Sequence, residues 1–136
     1  MKQVLQDLKT GETLIADVPA PNCHSNGMLI KTQYSLVSPG TEKMLVSFGR
    51  SSLVGKALSQ PERLLEVKDK VLKDGFAATW DAVNYKLSDL LPLGYCNVGK
   101  VVEVSEYAKE QGFVVGDYVV SNGYHAEIIS VPCNLC

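Results

Sequence analysis

The sequence predicts a mainly β fold with α-helices, in which a small antiparallel barrel or sandwich is interrupted by a helical insert at about residues 42–91. Apolar residues on both sides of this insert alternate with the period of a strand, whereas those inside it recur at helical spacing. Glycine-containing turn signals separate the alternating runs and favour antiparallel pairing of neighbouring strands. All 136 residues are predicted to form one domain.

The N-terminal segment, residues 1–18, predicts two strands that are joined by a turn at residues 9–12. Proline and glycine then interrupt the alternation in residues 19–27, which indicates a loop, because proline cannot donate a hydrogen bond to a strand ladder. The alternation resumes at Met28 and predicts a third strand that extends to Val37.

The helical insert carries its own start and stop signals. Residues 59–62, Ser-Gln-Pro-Glu, form a capping-box pattern that places Pro61 in the first turn of a helix. Lys73 and Asp74 precede Gly75, which predicts the end of this helix. Residues 44–58 predict one or two shorter helices before it. A second apolar stripe follows the stop and predicts another helix: Phe76, Trp80, Val83 and Leu87. We interpret these stripes as packing surfaces, and a lid or partner surface is the alternative.

The chain returns to strand-like patterns after the insert. Val98 to Val104 forms a β-rich run, and a polar connection is predicted at residues 105–111. A turn on Gly116 and Asp117 precedes a strand from Tyr118 to Ser121. The last predicted strand extends over residues 124–131.

The composition is that of an ordinary globular protein, with 46% hydrophobic and 21% charged residues. The formal net charge of −2 gives no indication of a nucleic-acid partner. No apolar run approaches the roughly 20 residues that span a bilayer, and the first residues do not form a signal peptide. We therefore expect a cytoplasmic protein with no membrane partner. In that compartment its four cysteines are expected to be free thiols: Cys23, Cys96, Cys133 and Cys136.

Three motifs occur in a fixed order: P-x-G-x-x-x-x-G-x-V-x-x-V from Pro92, F-x-V-G-D-x-V from Phe113, and V-P-x-N-L from Val131. This order resembles the GroES-like catalytic domain of medium-chain dehydrogenases of the zinc-type alcohol dehydrogenase family. The runs SPGTEKML and LPLGYCNVG are similar to counterparts in a subgroup of polysaccharide-related oxidoreductases. The resemblance implies a GroES-like β-barrel over residues 1–136, although most relatives have a shorter and less helical connection at the insert.

The resemblance also implies that the usual catalytic zinc is absent. Zinc-dependent members have a cysteine before a G-[ST]-D motif, and here Ser38 or Pro39 occupies that place. The histidine of their G-H-E motif corresponds to Tyr95, so two of the three protein ligands are missing. The four-cysteine structural zinc lobe is also missing. The Cys133-x-x-Cys136 pair is interpreted as incidental, with an unrelated metal site as the alternative.

Zinc-free members of the family transfer a hydride between NAD(P)H and a carbonyl or activated alkene. The resemblance implies that Tyr95 donates a hydrogen bond to the carbonyl oxygen and that Glu42 is an acid, a base or an orienting group. The predicted substrate-binding residues are Ser38, Thr41, Asn97 and His125. Structural roles are the alternatives: packing for Tyr95, capping of the first helix for Glu42, holding a turn for Asn97, and a hydrogen-bonded core position for His125.

Relatives also carry a dinucleotide-binding Rossmann domain with a G-x-G-x-x-G turn, and this sequence contains no such fingerprint. The chain is therefore expected to be the catalytic-side part of a longer enzyme, inactive alone and without a cofactor of its own. NAD or NADP is expected for the full-length enzyme. The expected partners are the missing Rossmann domain, a small carbonyl or alcohol substrate, including sugar-related ones, and further copies in a homo-oligomer. The alternative is a stand-alone GroES-like binding or assembly module without catalysis.

Overall fold

The computed structural model describes residues 1–52, 55 and 61–136, and this part of the chain is a mixed α/β fold. Its strands are β1 (Lys2–Asp7), β2 (Thr13–Asp17), β3 (Gly27–Ser35), β4 (Leu90–Pro92), β5 (Asn97–Val104), β6 (Tyr118–Ser121) and β7 (Ile128–Pro132). Its α-helices are α1 (Thr41–Arg50), α2 (Pro61–Asp74), α3 (Phe76–Ser88) and α4 (Glu106–Glu110). A 3-10 turn, Cys133–Leu135, follows β7.

The strands form two antiparallel sheets. One has the order β2-β1-β4 and the other the order β6-β5-β3-β7. A single bridge between Gln3 and Ala126 is the isolated pairing outside these ladders in the described residues. The predicted barrel is therefore corrected: a closed barrel requires a continuous ladder around its circumference, and the ladders described here end at edge strands.

The chain divides into two compact units. The sheet unit consists of Met1–Leu5, Ile15–Glu42 and Pro92–Cys136, and it contains the four-stranded sheet and α4. The helical unit consists of Gln6–Leu14 and Lys43–Leu91, and it contains α2 and α3. No helix in the described ranges is long and apolar enough to cross a bilayer.

The core of the sheet unit forms where the inward faces of three strands meet. Ile30 of β3 pairs with Val101 of β5 on one side and with Ile129 of β7 on the other. Because side chains alternate along a strand, Met28 lies on the same face as Ile30, and both are fully buried. The other members of this core are Ala108, Ala126 and Val131.

The helical unit contains helices where the spacing of apolar residues was predicted to change from the strand period to the helical period. Helix α2 starts at Pro61 and ends at Asp74, before Gly75, as the start and stop signals predict. Helix α3 follows directly, and its Phe76 and Trp80 rings stack with centroids 6.1 Å apart. Of the shorter helices predicted in residues 44–58, α1 covers residues 44–50. Ser59 and residues 53, 54 and 56–58 lie outside the described residues.

Three predicted boundaries differ from the structure, and one of them is the end of β3, which lies at Ser35 and not at Val37. The polar connection at residues 105–111 contains α4, because Ser105 Oγ accepts the Ala108 N–H at 3.1 Å and Ala108 is buried in the core. The last strand starts at Ile128 and not at residue 124. The preceding backbone makes its hydrogen bonds elsewhere: His125 N–H donates to Leu93 O, and Glu127 N–H donates to Lys2 O.

Val101 and Val102 test the position of this core, since they are neighbours on β5 with 1% and 43% exposure. Val101→Ala should lower the free energy of unfolding by about 2 kcal/mol, because each buried methyl group is worth about 0.8 kcal/mol and a cavity remains. Val102→Ala should change it by less than about 0.5 kcal/mol. Urea unfolding followed by β5 amide NMR signals measures both. Equal effects would contradict this packing.

Candidate functional site

Two side chains that are distant in sequence meet in the interior of the sheet unit. Glu42 Oε2 lies 3.1 Å from His125 Nε2, and each side chain is only 9% exposed. The other carboxylate oxygen, Oε1, accepts the Ser38 N–H at 3.0 Å. Both oxygens of a buried acid are therefore hydrogen-bonded, as burial of such a group requires.

The start of α1 places Glu42 for this contact. Glu42 lies in the first turn of the helix, where a carboxylate is favoured by the positive end of the helix dipole. Its N–H donates to Ser38 O at 3.1 Å, so the two residues are joined by two hydrogen bonds in opposite directions. The carboxylate thus has a local bond at the helix start as well as the bond to His125.

The backbone around His125 is held on both sides. Its N–H donates to Leu93 O at 2.8 Å, and its carbonyl oxygen accepts the Val4 N–H at 2.9 Å. Gly94 lies against the imidazole ring: a Cβ at this position would be 2.8 Å from both Cγ and Cδ2. Gly94 also has φ +94°, which L side chains rarely adopt. Glycine at this position therefore makes room for the ring.

The hydrogen bonds of the ring indicate its tautomer. His125 Nδ1 is buried and has no hydrogen-bond partner among the residues that the structure describes. When the Glu42 carboxylate accepts the Nε2 proton, a neutral ring leaves Nδ1 with a lone pair and no proton. Any other arrangement puts an N–H on Nδ1, and buried N–H groups without an acceptor are rarer than unpartnered acceptors. We therefore infer the Nε2–H tautomer, with Nδ1 as an acceptor.

His125 lines a cavity of about 370 Å³ in the sheet unit, together with Thr32, Ser35 and the charged residues Lys2 and Glu127. Asn97 supports Thr32: its fully buried side chain donates from Nδ2 to Thr32 Oγ1 at 2.8 Å. The same amide donates to the Tyr124 carbonyl oxygen at 3.2 Å, one residue before His125. Within the described part of the chain, Asn97 Oδ1 has no hydrogen-bond partner.

A second cavity of the sheet unit, of about 700 Å³, contains Tyr95 in its lining. Tyr95 is about half exposed, and its neighbours in the lining include the polar residues Asn22, His24 and Tyr124. Gln3 and Ala126 line both cavities, so the two adjoin at the bridge that these residues form. Both volumes lie in the range of small-molecule sites.

The structure brings some of the predicted site residues together and leaves others apart. Ser38, Glu42 and His125 form one hydrogen-bonded group, and Asn97 bonds to the residue before His125. Tyr95 lines the larger cavity and is not among the residues that line the smaller one with His125. Thr41 is exposed at the start of α1.

Two residues of the site were not predicted from the sequence. Thr32 joins the Asn97 network from β3, and nothing in a strand's alternation distinguishes it from a surface threonine. Gly94 accommodates the His125 ring. Its place in the P-x-G motif was a signal for this residue, although the motif does not reveal which side chain it contacts.

The cysteines do not build a second site. All four are free, and no group of three or more His, Cys, Asp or Glu side chains converges within residues 1–52, 55 and 61–136. Burial raises the pKa of the Cys136 thiol to about 11, and the charge of the nearby Cys133 adds a smaller contribution in the same direction. Burial also raises the pKa of Cys23, and the negative charge of Glu103 contributes to the same shift. These thiols are therefore poorly disposed to form thiolates, the form that binds metals.

No protein-family model, curated protein or solved structure matches this chain. The family resemblance thus remains an expectation from the motifs.

Gly94 and Gly112 provide a matched test of the contact with the ring, since both have φ +94°, but a Cβ added at Gly94 meets His125 whereas one added at Gly112 meets nothing within 4 Å. Alanine at either position should cost about 1–2 kcal/mol of backbone strain. Gly94→Ala should lower the melting temperature further, because its Cβ displaces His125. NMR shifts of the His125 ring should change in Gly94→Ala alone. Equal melting temperatures and an undisturbed ring in both variants would refute the contact.

Proposed function

We propose that this chain is the catalytic, substrate-side domain of a zinc-independent, NAD(P)-dependent oxidoreductase of the alcohol dehydrogenase-like, medium-chain type. Its substrate is the carbonyl or alcohol group of a small molecule, with sugar-related compounds included. The proposal includes a GroES-like fold for residues 1–136 with a helical insert at residues 42–91. The order of the three motifs supports it, as do antiparallel strands before and after the three helices in sequence.

The buried hydrogen bond between Glu42 and His125 is the observation that carries the proposal. A carboxylate that fixes one nitrogen of an imidazole leaves the other nitrogen available for proton transfer. Two buried acceptors without partners, His125 Nδ1 and Asn97 Oδ1, occur in the same network. Acceptors favour a ligand that donates hydrogen bonds, and a hydroxyl group does so.

The proposed chemistry of this chain is the movement of one proton. In the oxidation direction the hydroxyl proton of the alcohol passes to His125 Nδ1, and the Glu42 carboxylate stabilises the resulting imidazolium through the Nε2–H bond. In the reduction direction the same proton returns from Nδ1 to the carbonyl oxygen. Glu42 is then an orienting group, one of the three roles that the resemblance implies for it.

Tyr95 keeps its predicted role as a hydrogen-bond donor within this proposal. Its place in the lining of the larger cavity supports a contact with a second oxygen of the substrate. The two cavities share the lining residues Gln3 and Ala126, and the proposal is that a substrate with several hydroxyl groups contacts both His125 and Tyr95. A polyhydroxyl compound fits this arrangement better than a simple alcohol.

The described residues do not fit a nicotinamide cofactor. Dinucleotide sites use a parallel sheet with a glycine-rich turn that leads from a strand into a helix, whereas both sheets here are antiparallel. The three positive-φ glycines of the sheet unit do not form such a turn: Gly94 lies against His125, Gly112 follows α4, and Gly116 precedes β6. The proposal therefore assigns the cofactor to a separate domain and the substrate to this chain.

One observation favours the second candidate, a stand-alone GroES-like binding or assembly module without catalysis. His125 Nδ1 has almost no accessible surface, so a substrate reaches it only if the cavity wall moves. In this alternative Glu42 and His125 are a buried structural pair within the sheet unit. Ligand binding at His125 distinguishes the two.

Titration with glycerol, D-glucose and dihydroxyacetone tests the proposal. We expect at least one of them to shift the NMR signals of the His125 ring and the Thr32 amide, because both line the smaller cavity. Saturation is expected at about millimolar concentration, given how few atoms these ligands have. His125→Gln should abolish the Thr32 shift, whereas His24→Gln, at the exposed second histidine, should leave it unchanged.

NADH and NADPH are the control ligands, and calorimetry should detect no specific binding of either to this chain. Micromolar affinity for one of them would contradict the assignment of the cofactor to another domain. Shifts confined to residues outside the smaller cavity, or no shift with any of the three compounds, would favour the module without catalysis.

A further inference from the structure

One face of α2 in the helical unit carries large apolar side chains in contact with solvent. Leu65 is 65% exposed and Leu72 is 76% exposed, and Lys68 and Asp69 lie between them, also exposed. Spacings of three, four and seven residues place all four on one side of a helix. A heptad separation of two leucines is the spacing of a helix-pairing seam.

The opposite side of α2 faces inward. Val67 and Val71 are half-buried, and they lie about 150° and about 110° around the helix from the midpoint of Leu65 and Leu72, given 100° per residue. Helix α3 packs against α2 within the helical unit. The leucine face is therefore a separate surface and not the edge of the contact between these two helices.

The charges on this face are complementary to those of a second copy. A two-fold axis that passes between Lys68 and Asp69, perpendicular to α2, brings another α2 alongside in the antiparallel direction. Leu65 of each copy then lies opposite Leu72 of the other, and Lys68 lies opposite Asp69. Every contact occurs twice, as in an isologous interface.

We propose that this chain forms a two-fold symmetric dimer in which the leucine faces of two α2 helices pair in antiparallel orientation. The pairing joins leucine to leucine and lysine to aspartate without any other component, which is why a second copy is the occupant that this face fits. A seam of this size predicts a weak dimer. The dimer does not depend on the function proposed above.

Sedimentation velocity of the chain over a range of concentrations tests the dimer. Lys68→Glu places a carboxylate opposite Asp69 of the partner copy, twice per dimer, and should weaken dimerisation by about tenfold or more. Asp69→Lys should weaken it similarly. The double variant Lys68→Glu/Asp69→Lys restores opposite charges across the axis and should recover most of the affinity.

Lys70→Glu is the matched control, because it makes the same change of charge on α2 but about 140° from Leu65 around the helix. It should leave the dimer intact. Leu72→Ala should weaken the dimer while circular dichroism stays that of the parent chain. A chain that is monomeric at millimolar concentration, a double variant that is not restored, or equal effects of Lys68→Glu and Lys70→Glu would each overturn the proposal.

Discussion

The hydrogen bond between Glu42 and His125 is the constraint on which the interior of the sheet unit depends. It joins the first turn of α1 to the segment before β7, and both side chains have left water to form it. A buried polar group without its partner costs about 1–3 kcal/mol, so neither residue is replaceable alone without a loss of stability. Other hydrogen bonds surround this pair. The Ser38 N–H donates to the second carboxylate oxygen of Glu42, and backbone bonds to Leu93 and Val4 fix the position of His125.

The same pair explains why polar side chains are concentrated in a small part of a β-rich core. Asn97 is fully buried at the start of β5, and its amide connects Thr32 of β3 to the backbone at Tyr124. Such a network is stable only when nearly every group has a partner, and the two atoms that lack one are acceptors in the inferred tautomer. His125, which carries one of these acceptors, lines the smaller cavity, and an acceptor at that position suits the hydroxyl ligand of the proposed function.

The sequence predicted elements better than it predicted their assembly. Alternation located β3, and the Pro61 and Gly75 signals located both ends of α2, because these patterns depend on neighbouring residues alone. The closed barrel was wrong because the pairing of distant strands is not encoded in local periodicity. Helix α4 was missed because a helix of five residues has too few positions to show a period.

The candidate site shows the same limit. Glu42 and His125 were each named from the motifs, but their 83-residue separation in sequence gave no sign that they touch. Tyr95 and His125 were both predicted to contact the substrate, and the structure places Tyr95 in the lining of a different cavity from that of His125. Gly94 was part of a motif, yet its contact with the imidazole depends on a backbone segment from elsewhere in the chain.

The tautomer of His125 tests the central claim most directly. Long-range ¹H–¹⁵N NMR of the imidazole, at a pH where the ring is neutral, distinguishes a protonated from an unprotonated nitrogen, and the exposed His24 provides an internal comparison. We predict a proton on His125 Nε2 and none on Nδ1, with the tautomer mixture of a free imidazole at His24. A proton on His125 Nδ1, or the same mixture at both histidines, would contradict the bond to Glu42 and the proton transfer derived from it.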